Sequence, residues 1–409
     1  MDLISENKVS IERLANGLTV KLIEKPNFQV FNVQLIVGFG SSDSKVYKNE
    51  VFPGAAHLME HLLFHKRDCE IDSLFSQLGI EINAYTTYNS TNFFYPFLNN
   101  QRGDFSQALV YLFKLVFDPY FTDELIKKET QIIESEIKIT EDDTDSDLYT
   151  ELLKKLFPKT PLSYDILGTT KTIKQSTVDL LEEIHHNFYR PENTVLYVCG
   201  PISLNRLLEI VNSIPLVTPK EQLVENSCYY YEPTLDCDLP PMNRLTKLVY
   251  GWSLPDLNLD YESSLIFSLF LENMLGKRSQ FFHRMYNEGV INDDFYYEFM
   301  VEKNFTVIFF SCLTEFPTKI IQNTKETLHS IQISEEKFAI TVKNFIGKYI
   351  QSFDSVEELG TLENDGKFHL EDAINSLKIV DRLTVERVKE VANKILNEAE
   401  FATAWKLIS

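Results

Sequence analysis

Hydrophobic and polar residues alternate over 18–24 and 30–37, the two-residue period of strands that bury one face. A short helix is predicted over 55–64. After it, 80–85 and 91–97 carry β-branched and aromatic residues on either side of a polar turn and read as a hairpin. Helical spacing then runs through 105–116, 122–140, 147–156 and 177–188, and 194–198 returns to strand. The second half repeats the order: a strand at 247–252, a helix at 263–275 ended by Gly276, and a pair of strands within 295–310. Helices near 318–331, 335–353, 370–377 and 384–396 precede a last strand at 401–407. This twofold programme predicts an α+β protein of two similar domains, each a mainly antiparallel sheet covered on one side by helices. Residues 215–241, rich in Pro, Asp, Glu and Tyr and lacking periodicity, are the expected linker between domains at 1–214 and 242–409.

Composition narrows the class. A chain of 409 residues is long enough for two cores, and 44% hydrophobic residues with only 14 Gly and 15 Pro exclude collagen-like and low-complexity disordered chains. With 39 Lys plus Arg against 60 Asp plus Glu, the formal charge of −21 opposes binding to nucleic acid or to an anionic bilayer surface. The cysteines Cys69, Cys199, Cys228, Cys237 and Cys312 are odd in number and form no CxxC pair, so they are expected to be reduced. The first sixteen residues are polar, and no apolar run approaches the roughly 18–20 residues of a bilayer span. The expectation is a cytoplasmic protein without a membrane span.

The chemistry gathers at 52–64, FPGAAHLMEHLLF. At about 100° per residue, His57 and His61 fall within about 40° of each other, one turn apart, so both imidazoles can reach one metal ion. Glu60 shares their stripe, near enough to take a proton from a water at that ion. These polar groups interrupt a face of Ala, Leu, Met and Phe, where unpaired burial is costly. The HxxEH order is that of the inverzincins, although an exposed helix or a chance match would read the same way. His65 stands about 12 Å along the axis from His57, too far to share the ion, and is expected to be structural or to support a ligand. His185, His186, His283, His329 and His369 read as surface or capped side chains. A third ligand is expected on the acidic segment 127–142. There Glu129 and Glu136 lie within about 20° of each other two turns apart, while Glu134 points about 160° away from Glu136. Spacing does not choose between Glu129 and Glu136, nor does it exclude a solvated acidic face.

These segments resemble the pitrilysin/insulinase family of zinc metallopeptidases, in particular two-domain members similar to mitochondrial processing peptidase and small bacterial proteases. The resemblance rests on NGLTV at 16–20, the FPGAAHLMEHLLF run, INAYT at 82–86, ETQIIESE at 129–136 and FYRPENTVLYVCG at 188–200. It spans nearly all of the first half. It implies a zinc endopeptidase with one Zn2+ per chain, Glu60 being the base. In that family the third ligand follows the second His by about 75 residues. Glu136 stands 75 positions after His61, so the resemblance selects Glu136 to join His57 and His61, with Glu129 as the supporting carboxylate. It also implies that Asn83, Ala84, Tyr85 and Thr86 form an edge strand to which an extended peptide adds, although an ordinary core strand would carry similar residues.

The second half departs from the family. Catalytic members carry an Arg and a Tyr seven apart in a downstream domain, at a stretch similar to HRMYNEGVIND at 283–293. Aligned on Glu288 and Gly289, Met285 stands where Arg is expected and Asn292 where Tyr is expected, and Arg284 plus seven is Ile291. The resemblance therefore implies a heterodimer: a homologous partner without HxxEH would supply Arg and Tyr to a shared chamber that hydrolyses leader or precursor peptides. If the alignment shifts by one residue and Arg284 serves, a homodimer follows. A non-catalytic peptide-binding or scaffold subunit is the alternative from a different class, and a zinc-binding regulator is the third.

Overall fold

The computed structural model describes residues 9–43, 52–99, 105–216, 239–254, 259–303, 305–363, 369–397 and 400–408. Most of the predicted linker, including Cys228 and Cys237, lies outside the described residues. The first half runs β1 (Val9–Arg13), β2 (Thr19–Glu24), β3 (Val30–Val37), α1 (Ala55–Leu63), α2 (Ile71–Gln77), β4 (Asn83–Thr86), β5 (Thr91–Leu98), α3 (Phe105–Phe117), α4 (Asp123–Asp142) and α5 (Thr144–Leu156). It continues through α6 (Thr170–Ile173), α7 (Val178–Phe188), β6 (Thr194–Gly200) and α8 (Leu204–Ser213). The second half runs β7 (Thr246–Ser253), α9 (Tyr261–Leu275), α10 (Gln280–Asn287), β8 (Tyr296–Val301), β9 (Thr306–Thr314), α11 (Pro317–Ser330) and α12 (Glu335–Ser352). It closes with α13 (Val356–Glu363), α14 (Leu370–Ala373), α15 (Ser376–Asp381), α16 (Val385–Leu396) and β10 (Glu400–Leu407).

The α+β class is observed, with two sheets of largely antiparallel strands. The first sheet has the order β1-β2-β6-β3-β5-β4, with β2 and β6 parallel and its other pairs antiparallel. The second, β10-β7-β9-β8, is antiparallel throughout. Two compact units contain them. Among the described residues, one unit draws on 1–138, 164–228 and 353–363, and the other on 139–163, 229–352 and 364–409. Neither unit is a single run of sequence.

Strand alternation explains this exchange. In the first sheet Val20, Leu22, Val33, Leu35, Leu196 and Val198 face the helices of one core. Their neighbours Lys21, Asn32 and Gln34 point to the opposite face and are nevertheless buried. A helix from the second half covers them: Lys21 Nζ lies 2.7 Å from Glu363 Oε1, and Lys25 Nζ donates to Phe353 O at 2.7 Å. Gly360 lets α13 approach closely, since a Cβ there would stand 2.3 Å from Gln34 Nε2 and would have to displace that side chain. The second unit mirrors the device with α5. Leu248, Tyr250 and Trp252 of β7 enter its core. On the opposite face Lys247 pairs with Asp145 at 2.8 Å, Lys155 Nζ donates to Thr403 O at 2.7 Å, and the ring of Tyr149 sits 4.8 Å from that of Phe309.

One predicted element is corrected. The helix expected over 370–377 is two short ones, α14 and α15. At the break the Ala373 carbonyl accepts from Tyr349 Oη at 3.0 Å and from Ser376 Oγ at 2.6 Å. Ser376 is fully buried, so side chains stand in for the helical ladder.

Candidate metal centre

Helix α1 enters tightly. Gly54 precedes it with φ of 86°, and a Cβ there would lie 2.5 Å from Leu167 O, so neither the backbone angle nor the space admits another residue. Ala55, Ala56, Leu58, Met59, Leu62 and Leu63 are buried in the core, which leaves the stripe of His57, Glu60 and His61 turned toward α4 and β4. Helix α4 is seated by Ile126, Thr130, Ile133 and Ile137, spaced three or four apart, with Leu125 N donating to Thr122 Oγ1 at its start. Glu129 and Glu136 occupy the same side, as their spacing predicted.

The two carboxylates are then told apart. Glu136 Oε2 lies 3.0 Å from His57 Nε2 and 3.7 Å from His61 Nε2. One donor atom from each of His57, His61 and Glu136 falls within 4.8 Å of the others. Among the described residues no other trio of His, Cys, Asp or Glu gathers donors this closely. Glu129 is buried behind them, with Oε2 3.2 Å from His61 Nδ1 and Oε1 2.8 Å from His65 Nε2. Two imidazole nitrogens and one carboxylate oxygen fit zinc, which takes such mixed N/O sets and retains an open position in catalytic sites. Glu129 on the remote nitrogen of His61 is the kind of contact that fixes a ligand's tautomer.

Electrostatics follow from this packing. Burial pulls the His57 imidazole down, but Glu60 and then Glu136 outweigh it, so its pKa lies above the ordinary histidine value. Burial opposes ionisation of Glu129, yet hydrogen bonds from His61 and His65 hold it well below the usual carboxylate range.

Strand β4 is the end of the first sheet, pairing antiparallel with β5 through Asn83↔Phe94, Ala84↔Phe93, Tyr85↔Asn92 and Thr86↔Thr91. Asn83 and Tyr85 are exposed, and Ala84 and Thr86 are half-buried. Thr86 Oγ1 donates to Glu60 Oε2 at 2.5 Å, and the same oxygen lies 3.5 Å from His57 Nδ1. Sequence reasoning placed Thr86 on the peptide-binding strand and missed this bond, because nothing in a linear motif says which strand crosses a helix. It also missed Glu70, whose Oε2 lies 2.7 Å from His65 Nδ1. In the second unit Met285 is buried in the core, and Arg284 of α10 donates to Asn323 Oδ1 of α11 at 2.8 Å.

A site able to hold a metal ion through His57, His61 and Glu136, on an α+β chain with two sheets, falls where sequence comparison matches a family of peptidases. The model of the insulinase family (peptidase family M16) matches residues 19–170, and that of the peptidase M16 inactive domain matches 176–345. The chain belongs to the M16 (insulinase) peptidase family. It is 26% identical to the uncharacterized zinc protease YmfH of Bacillus subtilis (strain 168), covering 97% of this chain and 96% of that one. It is 24% identical to a mitochondrial-processing peptidase subunit beta of Arabidopsis thaliana, over 52% of this chain and 39% of that one. A protease from Helicobacter pylori has the same fold, with TM-score 0.83, 18% identity and coverage of 98% and 99%. Among the described residues no helix is long and apolar enough to cross a membrane.

Proposed function

We propose that this chain is a zinc endopeptidase whose ion is held by His57, His61 and Glu136. The observation that carries the reading is the convergence of these three side chains beside Glu60, at an edge strand able to accept a peptide. A zinc ion there supplies Lewis acidity to a water and to the scissile carbonyl. Glu60 takes the proton from the attacking water and returns it to the leaving amine. Its Oε2 is engaged by Thr86 and His57, so Oε1 is the oxygen that receives the proton. Glu129 holds the tautomer of His61, and Asn83–Thr86 pairs with the backbone of the substrate.

The reading extends to a partner. With Met285 buried and Arg284 bound to Asn323, residues 283–293 offer no Arg and Tyr pair in the family pattern. A homologous chain in a heterodimer would supply that pair and complete a chamber for leader or precursor peptides, in the cytoplasm. A relative named as one subunit of a processing peptidase supports an unequal pair. The second reading, a non-catalytic peptide-binding subunit, is favoured by the match of 176–345 to the inactive-domain model.

The experiment is to purify the chain with and without its co-expressed homologue, measure bound zinc, and assay peptide cleavage for wild type and Glu60→Gln. The expected result is full zinc in both, with cleavage reduced by ~10²-fold or more in the variant. Equal cleavage by both removes Glu60 as the base. Zinc without any cleavage, partner present, favours the second reading. Cleavage by the lone chain as fast as by the pair overturns the heterodimer.

A further inference from the structure

His65 is placed with more care than a spectator needs. It follows α1 in a tight turn: Lys66 N donates to Cys69 O at 3.0 Å, Ile71 N donates to Phe64 O at 3.0 Å, and His65 and Glu70 face each other as a β-bridge. Lys66 anchors the turn from the far side, its Nζ donating to Leu115 O at 3.0 Å and to Asp118 O at 2.6 Å. The residue is 8% exposed; its Nε2 is hydrogen-bonded to Glu129 Oε1 at 2.8 Å, and Nδ1 lies 2.7 Å from Glu70 Oε2, an ion-pair distance outside hydrogen-bond geometry. Ionised carboxylates only accept, so Nε2 donates to Glu129, and that bond with the nearby Glu70 carboxylate favours the doubly protonated, positively charged ring. That charge answers a specific need. Glu129 is 4% exposed, and a buried carboxylate persists in ionised form only when it is paired and hydrogen-bonded. Its other cationic neighbour, Lys128, is 3.5 Å away with a largely exposed side chain, and contacts of that kind are weak. Without His65, Glu129 Oε1 would lose the partner that fixes the carboxylate plane, and with it the placing of Oε2 beside His61 Nδ1.

Resting on the zinc-peptidase reading above, we propose that His65 is a positioning residue: clamped between Glu70 and Glu129, it holds Glu129 on His61 Nδ1 and so keeps His61 Nε2 turned toward Glu136. The chain of contacts is Glu70, His65, Glu129, His61, and only its last member reaches the ion. The spacing of His65 after His61 gives it no ligand role, and its rigid turn gives it this one.

Zinc affinity of the intact chain, measured by competition with a chromophoric chelator, tests the idea in wild type, His65→Gln, Glu70→Gln, Glu129→Gln and the His65→Gln/Glu129→Gln double variant. Glu129→Gln is expected to weaken zinc by about 10- to 100-fold, the range for losing an outer partner of a metal ligand, and His65→Gln, one contact further out, by up to about 10-fold. Glu70 is half exposed, so Glu70→Gln keeps the fold and is expected to weaken zinc by a few-fold. In the Glu129→Gln background the effect of His65→Gln is expected to vanish, because His65 acts through that carboxylate. A role confined to stability would instead add in both backgrounds. Wild-type affinity in His65→Gln and Glu70→Gln, or an undiminished His65→Gln effect without Glu129, overturns the proposal while leaving the metal site intact. Failure of the wild type to bind zinc overturns the metal site itself, and this inference with it.

Discussion

The hydroxyl of Thr86 donates to Oε2 of Glu60, which leaves Oε1 as the oxygen for the base role proposed above. Thr86→Val removes the donor to Oε2 and leaves the carboxylate able to rotate, so kcat for peptide cleavage is expected to fall by about 10-fold or more, with zinc content unchanged. Thr86→Ser keeps the donor and is expected to retain most of the rate. Steady-state kinetics on the two variants separates the hydroxyl from the shape of the strand. At this scale the sequence was informative where chemistry lies along one helix, because His57, Glu60 and His61 share a stripe by arithmetic alone. Helical spacing was silent between Glu129 and Glu136, which share a face of α4 equally well, and only the family resemblance chose Glu136. In the structure burial separates them: the Glu136 side chain is 37% exposed, against 5% for Glu129, and the inner one is left to meet His61 and His65. The Thr86 bond needed a strand laid beside a helix, which no spacing in either one encodes.

Helices and turns account for the next level. The C-terminal carbonyls of α3 are closed by side chains from two directions: Lys66 Nζ reaches Leu115 O and Asp118 O, and His185 Nε2 meets Val116 O at 2.9 Å. Burial pushes the His185 imidazole down to about 4, so it is neutral at pH 7 and donates through Nε2. Burial likewise brings the Lys66 amine from 10.5 down to about 7. Between those two values the unfolded chain holds a proton that the native site lacks, so stability rises with pH across that window. The protonated penalty is fully present below about 7, and relief is complete near 10.5. Relative to Lys66→Met, which has no such proton, wild type is expected to gain at most about 1.4 kcal/mol per pH unit from pH 7 to 9. Melting temperatures across that range check the slope. Long elements with a strong period, such as β3 and α4, were legible in the sequence. Among those that escaped, β1 is an edge strand with mostly exposed residues, α2 has only seven residues, and α13 has eight with Gly360 in the middle, whereas α8 and α10 escaped although amphipathic. That glycine follows from what α13 packs against, which lies over three hundred residues away in sequence.

For the whole molecule, the buried pair Lys21–Glu363 ties the second half of the sequence to the first sheet. Lys21→Met takes the cation of a buried pair away from the Glu363 carboxylate and is expected to cost about 3–5 kcal/mol, read as a shift in the urea midpoint. Lys21→Met with Glu363→Leu replaces both charges by apolar groups and is expected to recover most of that loss. Two halves with one programme were visible in the letters; the crossing of α5 and α13 was not, because an amphipathic helix does not name the sheet it covers. The order of synthesis then matters. The candidate metal ligands lie between residues 57 and 136, but the cover of the first sheet ends only at Glu363. Closure of the first unit is therefore expected to wait until Glu363 has emerged, and a nascent chain stalled near residue 300 is expected to expose one uncovered face of its first sheet to chaperones.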